Sequence, residues 1–393
     1  MSAIVDDGYI LEFKVPINSL PYPPGKNQIW NFNISRVFTL DGTFYRSQTQ
    51  PYDRSDPCWV CQVTDKLIMK DIVYSGKTEL LPYISSNISG QRQTGYNDPI
   101  EYGKVKGEVG IGLNYDFSPS SSIEATINPD FSQIEADETQ IDVNSTTALR
   151  YPERRIFFNE GADFLNTDSS AVYTRAINSP SYALKIYNRG DKHSYYFLDA
   201  EDEQTQLIIP GVQKSYSAML GKSHANIFSY QYNIDNGQYI SFLSTNRSYE
   251  DGGNGFLYLT RGLFLLDEKY ALRFELAESQ TDEPTNDLIS TDDFSDDYTY
   301  QLDGESFNGY SAMLAMSRST ENWFTNLWIG TKSPNFRTDL GFTTENNWIA
   351  NNLRHEYRFR SSGLIRSGEI GISTKFIHAV SYTHLTLPTT PYV

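Results

Sequence analysis

Cysteine is nearly absent. The chain of 393 residues holds only Cys58 and Cys61, spaced as CWVC. No second pair completes a zinc site, and no βαβ pattern surrounds them as a redox motif would need. They read as an incidental pair or a local disulfide of an oxidising compartment. Positive charge is also scarce: 32 Lys and Arg stand against 49 Asp and Glu, a net charge of -17. Nucleic acid is therefore not an expected partner, because phosphate binding needs clustered cations. Five histidines occur (His193, His224, His355, His378, His384) and no GxSxG, so serine-hydrolase chemistry has no support. The longest apolar stretch, Phe256 to Leu266, is broken by Thr260, Arg261 and Gly262. That excludes a transmembrane helix, which needs about 20 apolar residues. The opening "SAIVDDGYILEFKVPI" reads as strand, not as the charged start and apolar run of a signal peptide. A soluble all-β protein and a membrane barrel remain.

What is present is aromatic. Hydrophobic residues are 39% of the chain, yet aromatics reach 14%, with 28 Tyr and 22 Phe. Disordered acidic chains are poor in rings, so a folded protein is expected. Rings with few aliphatics suit strands, and the aromatic girdles of outer-membrane barrels.

Length sets a prior of two or three domains. Residues 1–77 form a first block. Tyr9, Leu11, Phe13 and Val15 alternate with polar neighbours, as do Trp30, Phe32, Ile34 and Val37, across a turn at Pro21–Gly25. From Glu79 the texture becomes alternating segments of roughly 9–11 residues, the length a tilted strand needs to cross a bilayer. Val109, Ile111, Leu113, Tyr115 and Phe117 share one face, with Gly, Asn and Asp on the other. Ile123, Ala125 and Ile127 repeat the pattern. Phe228, Tyr230 and Tyr232 do so again, before a hairpin signal at Asn236-Gly237. Leu257, Leu259, Leu263 and Leu265 precede a short turn at Asp267-Glu268, then Tyr270, Leu272, Phe274 and Leu276. Tyr310, Ala312, Leu314 and Met316 face Trp323, Thr325, Leu327 and Ile329 across another tight turn. A soluble sheet with one wet face would alternate likewise. Repetition, with short turns alternating with long polar loops, favours the barrel. The tail "SYTHLTLPTTPYV", residues 381–393, resembles translated sequencing adaptor and is set apart from the fold.

Three motifs carry a family likeness: "NPDFSQIEAD", "YPERRIFFNEGADF" and "SPNFRTDLGF", in that order. Together they resemble the bacterial DUF5916 family, with "DAEDEQTQLIIPG" fitting less specifically. The resemblance implies a carbohydrate-binding family 9-like β-sandwich followed by an outer-membrane-type barrel. Residues 1–77 would be the last part of the sandwich and 78–380 an incomplete barrel. The opening half of the sandwich is missing, so a sugar site shared across it would be incomplete. The family supplies architecture more than mechanism.

The stretch Asn128 to Phe164 is the densest in charge. Paired carboxylates such as Glu135 and Glu153 could act as acid and base in glycoside hydrolysis. The other reading makes Asp130, Glu135, Asp137, Glu153 and Glu160 partners of Arg154 and Arg155 in a structural network facing a wet lumen, or a plug; Arg holds carboxylates by paired hydrogen bonds. Trp59 and Trp30 are candidate sugar platforms, with core packing the competing role for Trp30. The run Asp282, Glu283, Asp287, Asp292, Asp293, Asp296, Asp297 lacks a calcium-loop spacing and reads as a solvated loop. No metal or cofactor is expected. The whole reads as an all-β chain: a truncated antiparallel outer-membrane-type β-barrel preceded by the remnant of a β-sandwich. It would lie in the outer membrane of a Gram-negative bacterium, against lipid, with the first block periplasmic. A glycan is the expected ligand, in a surface or transport role; the alternative is a glycan-active hydrolase.

Overall fold

The computed structural model describes residues 2–6, 8–17, 20–53, 56, 62–88, 90–92, 99–129, 147–267, 269–291, 293–295, 298–360 and 367–379. Thirteen antiparallel strands make one sheet. They are β1 (Lys77–Asn87), β2 (Lys106–Ser118), β3 (Ser121–Ile127), β4 (Pro180–Arg189), β5 (His193–Asp202), β6 (Ser223–Asn233) and β7 (Tyr239–Tyr249). There follow β8 (Asn254–Leu266), β9 (Tyr270–Asp282), β10 (Ser306–Ser319), β11 (Trp323–Lys332), β12 (Trp348–Arg360) and β13 (Ser367–Ala379). Each strand pairs with its neighbours in sequence, so the sheet is a meander without crossovers. No hydrogen-bonded ladder joins β1 to β13 among the described residues. Among the described residues no helix is long and apolar enough to cross a membrane.

The connections sort by end. Residues 119–120, 190–192, 234–238, 267–269 and 320–322 make short turns at one end. Residues 88–105, 128–179, 203–222, 283–305 and 333–347 connect the strands at the other, where only 250–253 is short. The short turns follow turn chemistry. Asn236 and Gly237 take left-handed φ of 62° and 75°, and Asp267 takes 51°, which Asn, Asp and Gly tolerate best.

The sheet curls around its own long connections. Lys185 on β4 donates to the Glu160 carbonyl at 3.1 Å, and Ser229 on β6 to the Phe164 carbonyl at 3.4 Å. Glu275 on β9 and Lys332 on β11 both bind Ser169. Strands lie about 4.8 Å apart, so a flat sheet would hold β4 and β11 tens of ångströms apart. Both reach one short segment because the sheet is concave. Its inner face carries small residues where the segments press in. At Gly309 a Cβ would stand 2.4 Å from the Phe336 backbone nitrogen.

The outer face takes the other half of each alternation. Ile84, Val109, Phe228, Phe242, Tyr258, Leu276, Tyr310 and Leu314 are exposed. The leucines of β8 divide from this set. Leu257 and Leu259 are each 1% exposed and point inward, with Phe158, Phe164, Leu165, Ile177 and Phe336 in one core. Apolar residues on both faces of β8 follow, since its inner face meets apolar loop residues.

The described residues between 2 and 69 form three separate two-stranded ladders: Ser2–Val5 with Gly8–Leu11, Gln28–Asn31 with Lys66–Met69, and Ser35–Leu40 with Thr43–Gln48. The alternation through Phe13 and Val15 does not extend the first ladder. Its partner strand has only four residues, so pairing stops at Leu11, and Phe13 is 81% exposed.

Replacing Gly309 by Val should lower stability by about 1–3 kcal/mol through overpacking, read as a lower urea midpoint. Ala312→Val, on the outward face of the same strand, should change it little.

Candidate functional site

Residues 147–179 enter the concavity between β3 and β4. Glu153 organises their start. Its Oε1 accepts the backbone N–H of Arg154 at 3.0 Å and of Arg155 at 2.9 Å. Arg155 closes a two-pronged pair on the same carboxylate, Nε to Oε1 at 2.9 Å and Nη2 to Oε2 at 2.7 Å. The Thr174 hydroxyl adds a bond to Oε2 at 2.7 Å. The guanidinium also donates to the carbonyls of Ile177 (2.7 Å) and Thr174 (2.8 Å), and lies 4.2 Å from the Phe158 ring centre. One buried arginine thus ties the short helix at Ile156–Asn159 to a turn some twenty residues on. Burial pushes the Glu153 carboxyl up, but Arg155 and Thr174 overcome it, and the group sits below the ordinary carboxylate range. Both Glu153 oxygens are occupied.

Arg154 is exposed. Glu160 accepts the Tyr187 hydroxyl at 3.0 Å. Asp130, Glu135 and Asp137 lie outside the described residues, as do Cys58, Trp59 and Cys61. Trp30 is half-buried, its ring centre 6.4 Å from that of Tyr22.

A second inserted segment, residues 333–347, contains "SPNFRTDLGF". Arg337 is buried, pairing with Glu283 and, at 3.0 Å, with Asp339. Tyr249 on β7 donates to Asp339 at 2.7 Å. The two segments also bind each other: Tyr173 N–H to the Leu340 carbonyl at 2.7 Å, and Phe342 N–H to the Ser170 carbonyl at 2.9 Å.

Charged residues on the inner wall complete the arrangement, and the sequence reading missed them. Glu275 receives the N–H groups of Asp168 and Ser169 at 2.9 and 2.8 Å. Asp202 receives those of Asn178 and Ser179 at 2.9 and 2.6 Å. Arg247, fully buried, donates to the Ala176 carbonyl at 2.9 Å. Lys185 sits 2.9 Å from Glu124, its cross-strand neighbour on β3. Irregular backbone away from water needs partners for every N–H and C=O, and these side chains supply them. The available signal was a single charge in an alternating strand, on a face otherwise holding Ser241, Leu243, Thr245 and Tyr249, as for Arg247 in "FLSTNRSYE".

In the acidic run, oxygens of Glu283, Asp303 and Glu305 lie within 4.8 Å of one another. Arg337 already neutralises Glu283 there. Asp292, Asp296 and Asp297 lie outside the described residues.

A family described as Domain of unknown function (DUF5916) matches residues 77–208, which span β1 to β5 and the first inserted segment. No curated protein matches the chain. Among solved structures, OmpT (in-vitro folded), an outer membrane protein of Vibrio cholerae, is 8% identical, covers 78% of this chain and 100% of its own, and gives a TM-score of 0.26. Outer-membrane expressed OmpT of Vibrio cholerae is 9% identical with the same coverage and a TM-score of 0.28. Likeness at that level carries no argument, and the architecture rests on the strand ladder itself.

The lowered pKa of Glu153 gives a sign for acid. A carboxyl held lower in the folded state than unfolded stabilises the fold above the unfolded pKa, and that contribution is lost as pH falls through the folded one. Limited proteolysis of residues 147–179 should therefore accelerate in acid, below the ordinary carboxylate range. Glu153→Gln should be cut faster at neutral pH and lose the acid step. Arg155→Ala strands a buried carboxylate and should cost about 3–5 kcal/mol.

Proposed function

We propose that this chain is an outer-membrane β-barrel protein whose lumen is filled by its own long connections, with a glycan-related surface or transport role. The outward face of the meander carries the reading. Exposed apolar side chains recur on strand after strand, Val109 on β2, Phe228 on β6, Leu276 on β9, Leu314 on β10 and Ile372 on β13. A water-soluble protein rarely shows contiguous apolar patches beyond a few hundred Å²; lipid is the solvent such a face suits. Long connections at one end and short turns at the other agree with extracellular and periplasmic ends. β1 starts at the short-turn end, so residues before it would be periplasmic.

The filled lumen argues for selective handling over free diffusion. Two indoles support a glycan. Trp328 and Trp348 face the concave side, ring centres 6.3 Å apart and 28° from coplanar. Trp328 lies flat over Gly330, where a Cβ would come within 2.6 Å of the ring. The negative face of an aromatic ring attracts the weakly positive C–H face of a sugar. Occupation of both Glu153 oxygens by Arg155 and Thr174 favours this over hydrolysis at that residue.

Fractionation of expressing Gram-negative cells tests the reading. The protein should sit in the outer-membrane fraction and migrate differently on detergent gels before and after boiling. Release in soluble form with no mobility shift would sink it.

A further inference from the structure

The β9–β10 hairpin continues past its ladder. Beyond the pair Asp282–Ser306, the Glu283 N–H donates to the Glu305 carbonyl at 2.9 Å, and Thr285 pairs with Asp303. Asp303 and Glu305, two apart on extended chain, share a face and meet Glu283 across the hairpin. One carboxylate oxygen from each of the three lies within 4.8 Å of the other two. Like charges set across a strand pair destabilise it, so the arrangement calls for shared positive charge. Among the described residues Arg337 is the only cation within ion-pair distance, and it also holds Asp339. One guanidinium thus serves four carboxylates. Asp303 and Glu305 have neutral donors instead: the Thr299 hydroxyl donates to Asp303 at 3.0 Å and the Thr299 N–H to Glu305 at 2.8 Å.

A second observation points to a ligand. The Glu283 side chain is 1% exposed, and Arg337 occupies its Oε1. Its Oε2 is buried without a hydrogen-bond partner. An unpartnered oxygen of a charged group is costly to bury, and a bound cation removes that cost. Burial pushes the Glu283 carboxyl up to about 7 although Arg337 pulls it down, with Asp303 and Asp339 adding to the rise. Positive charge is still short at this point.

We propose that Glu283, Asp303 and Glu305 form a calcium site that fastens the connection 283–305 against the inserted segment 333–347. Glu283 then serves two cations, Arg337 at Oε1 and calcium at Oε2. Ligand chemistry selects the ion. Calcium takes 6–8 oxygens at about 2.3–2.6 Å, so oxygens on opposite sides of it stand up to about 5 Å apart. The three carboxylates fit within that span. Magnesium asks for about 2.1 Å in a near-ideal octahedron and gives up its water reluctantly. Asp303 is exposed, which leaves the ion a way in and room for water as further ligand. The inference goes beyond the barrel reading and takes from it only the compartment. The long connections face outward there, and extracellular calcium modules bind at about 0.1–1 mM.

The test uses the full chain in detergent micelles, stripped of metal with EDTA and dialysed, and isothermal titration with calcium chloride. Calcium should bind saturably at one site with a Kd of about 0.1–1 mM, and magnesium at least about tenfold more weakly. Asp303→Asn and Glu305→Gln each remove a charge at nearly constant volume. Each should weaken calcium by at least about tenfold, the scale of a lost contact to a charged group. Asp287→Asn, at an exposed position of the same connection, should bind as the parent does. Calcium should also slow chymotryptic cleavage at Leu288 and Phe294, both exposed, in the parent and not in Asp303→Asn. Glu305 also accepts the Thr299 N–H, so if Glu305→Gln misfolds, Asp303→Asn decides. Four results would each overturn the proposal: no saturable calcium binding below about 10 mM, magnesium bound as tightly, affinity unchanged in Asp303→Asn, or equal weakening by Asp287→Asn. Cleavage indifferent to calcium would overturn the fastening role. A protein that shows the heat-dependent shift but binds no calcium loses this site and keeps its barrel. A soluble protein that binds calcium keeps the site and loses the barrel.

Discussion

The Arg155 guanidinium, buried against Glu153 and the carbonyls of Thr174 and Ile177, is the interaction on which the interior depends. The inserted segment has one four-residue helix and two short 3-10 turns. Its backbone is therefore largely without regular partners, and it sits in a space that excludes water. Unpaired backbone groups there cost about 1–3 kcal/mol each. One arginine satisfies two carbonyls and a carboxylate together. Glu275, Asp202 and Arg247 extend the same solution from the wall. The interior is polar in detail and apolar in bulk, since Phe158, Phe164, Ile177 and Phe336 fill the space between these contacts.

Much of the sheet was legible from residues alone. Period-two alternation fixes which side chains share a face, and Val109 to Phe117, Tyr270 to Leu276 and Tyr310 to Met316 fall on the exposed face together. The turns at Asn236-Gly237 and Asp267 were legible because only a few residue types accept left-handed φ. The first block was less so. Alternation marks a strand but not a partner, and Phe13 and Val15 have none.

The interior was legible only in part. "YPERRIFFNEGADF" announces charge and rings. The Glu153–Arg155 pair is local, two residues apart, and so within reach of sequence reasoning. The partners of the wall charges are not. Glu275 meets Ser169 across 106 residues and Arg247 meets Ala176 across 71. Such pairings follow from how far the sheet curls, which alternation does not encode. The inward direction of Leu257 and Leu259 was not legible for a related reason. Their face is apolar because of what is folded against it.

Chain order adds a constraint on assembly. The inserted segment at residues 147–179 precedes β4 through β11, which together enclose it. Chain order thus places the filling before most of the wall that surrounds it. Emptying the lumen would have to break the hydrogen bonds that hold the segment to the wall. It would require drawing out a segment anchored at both ends in neighbouring strands, or parting the strands themselves.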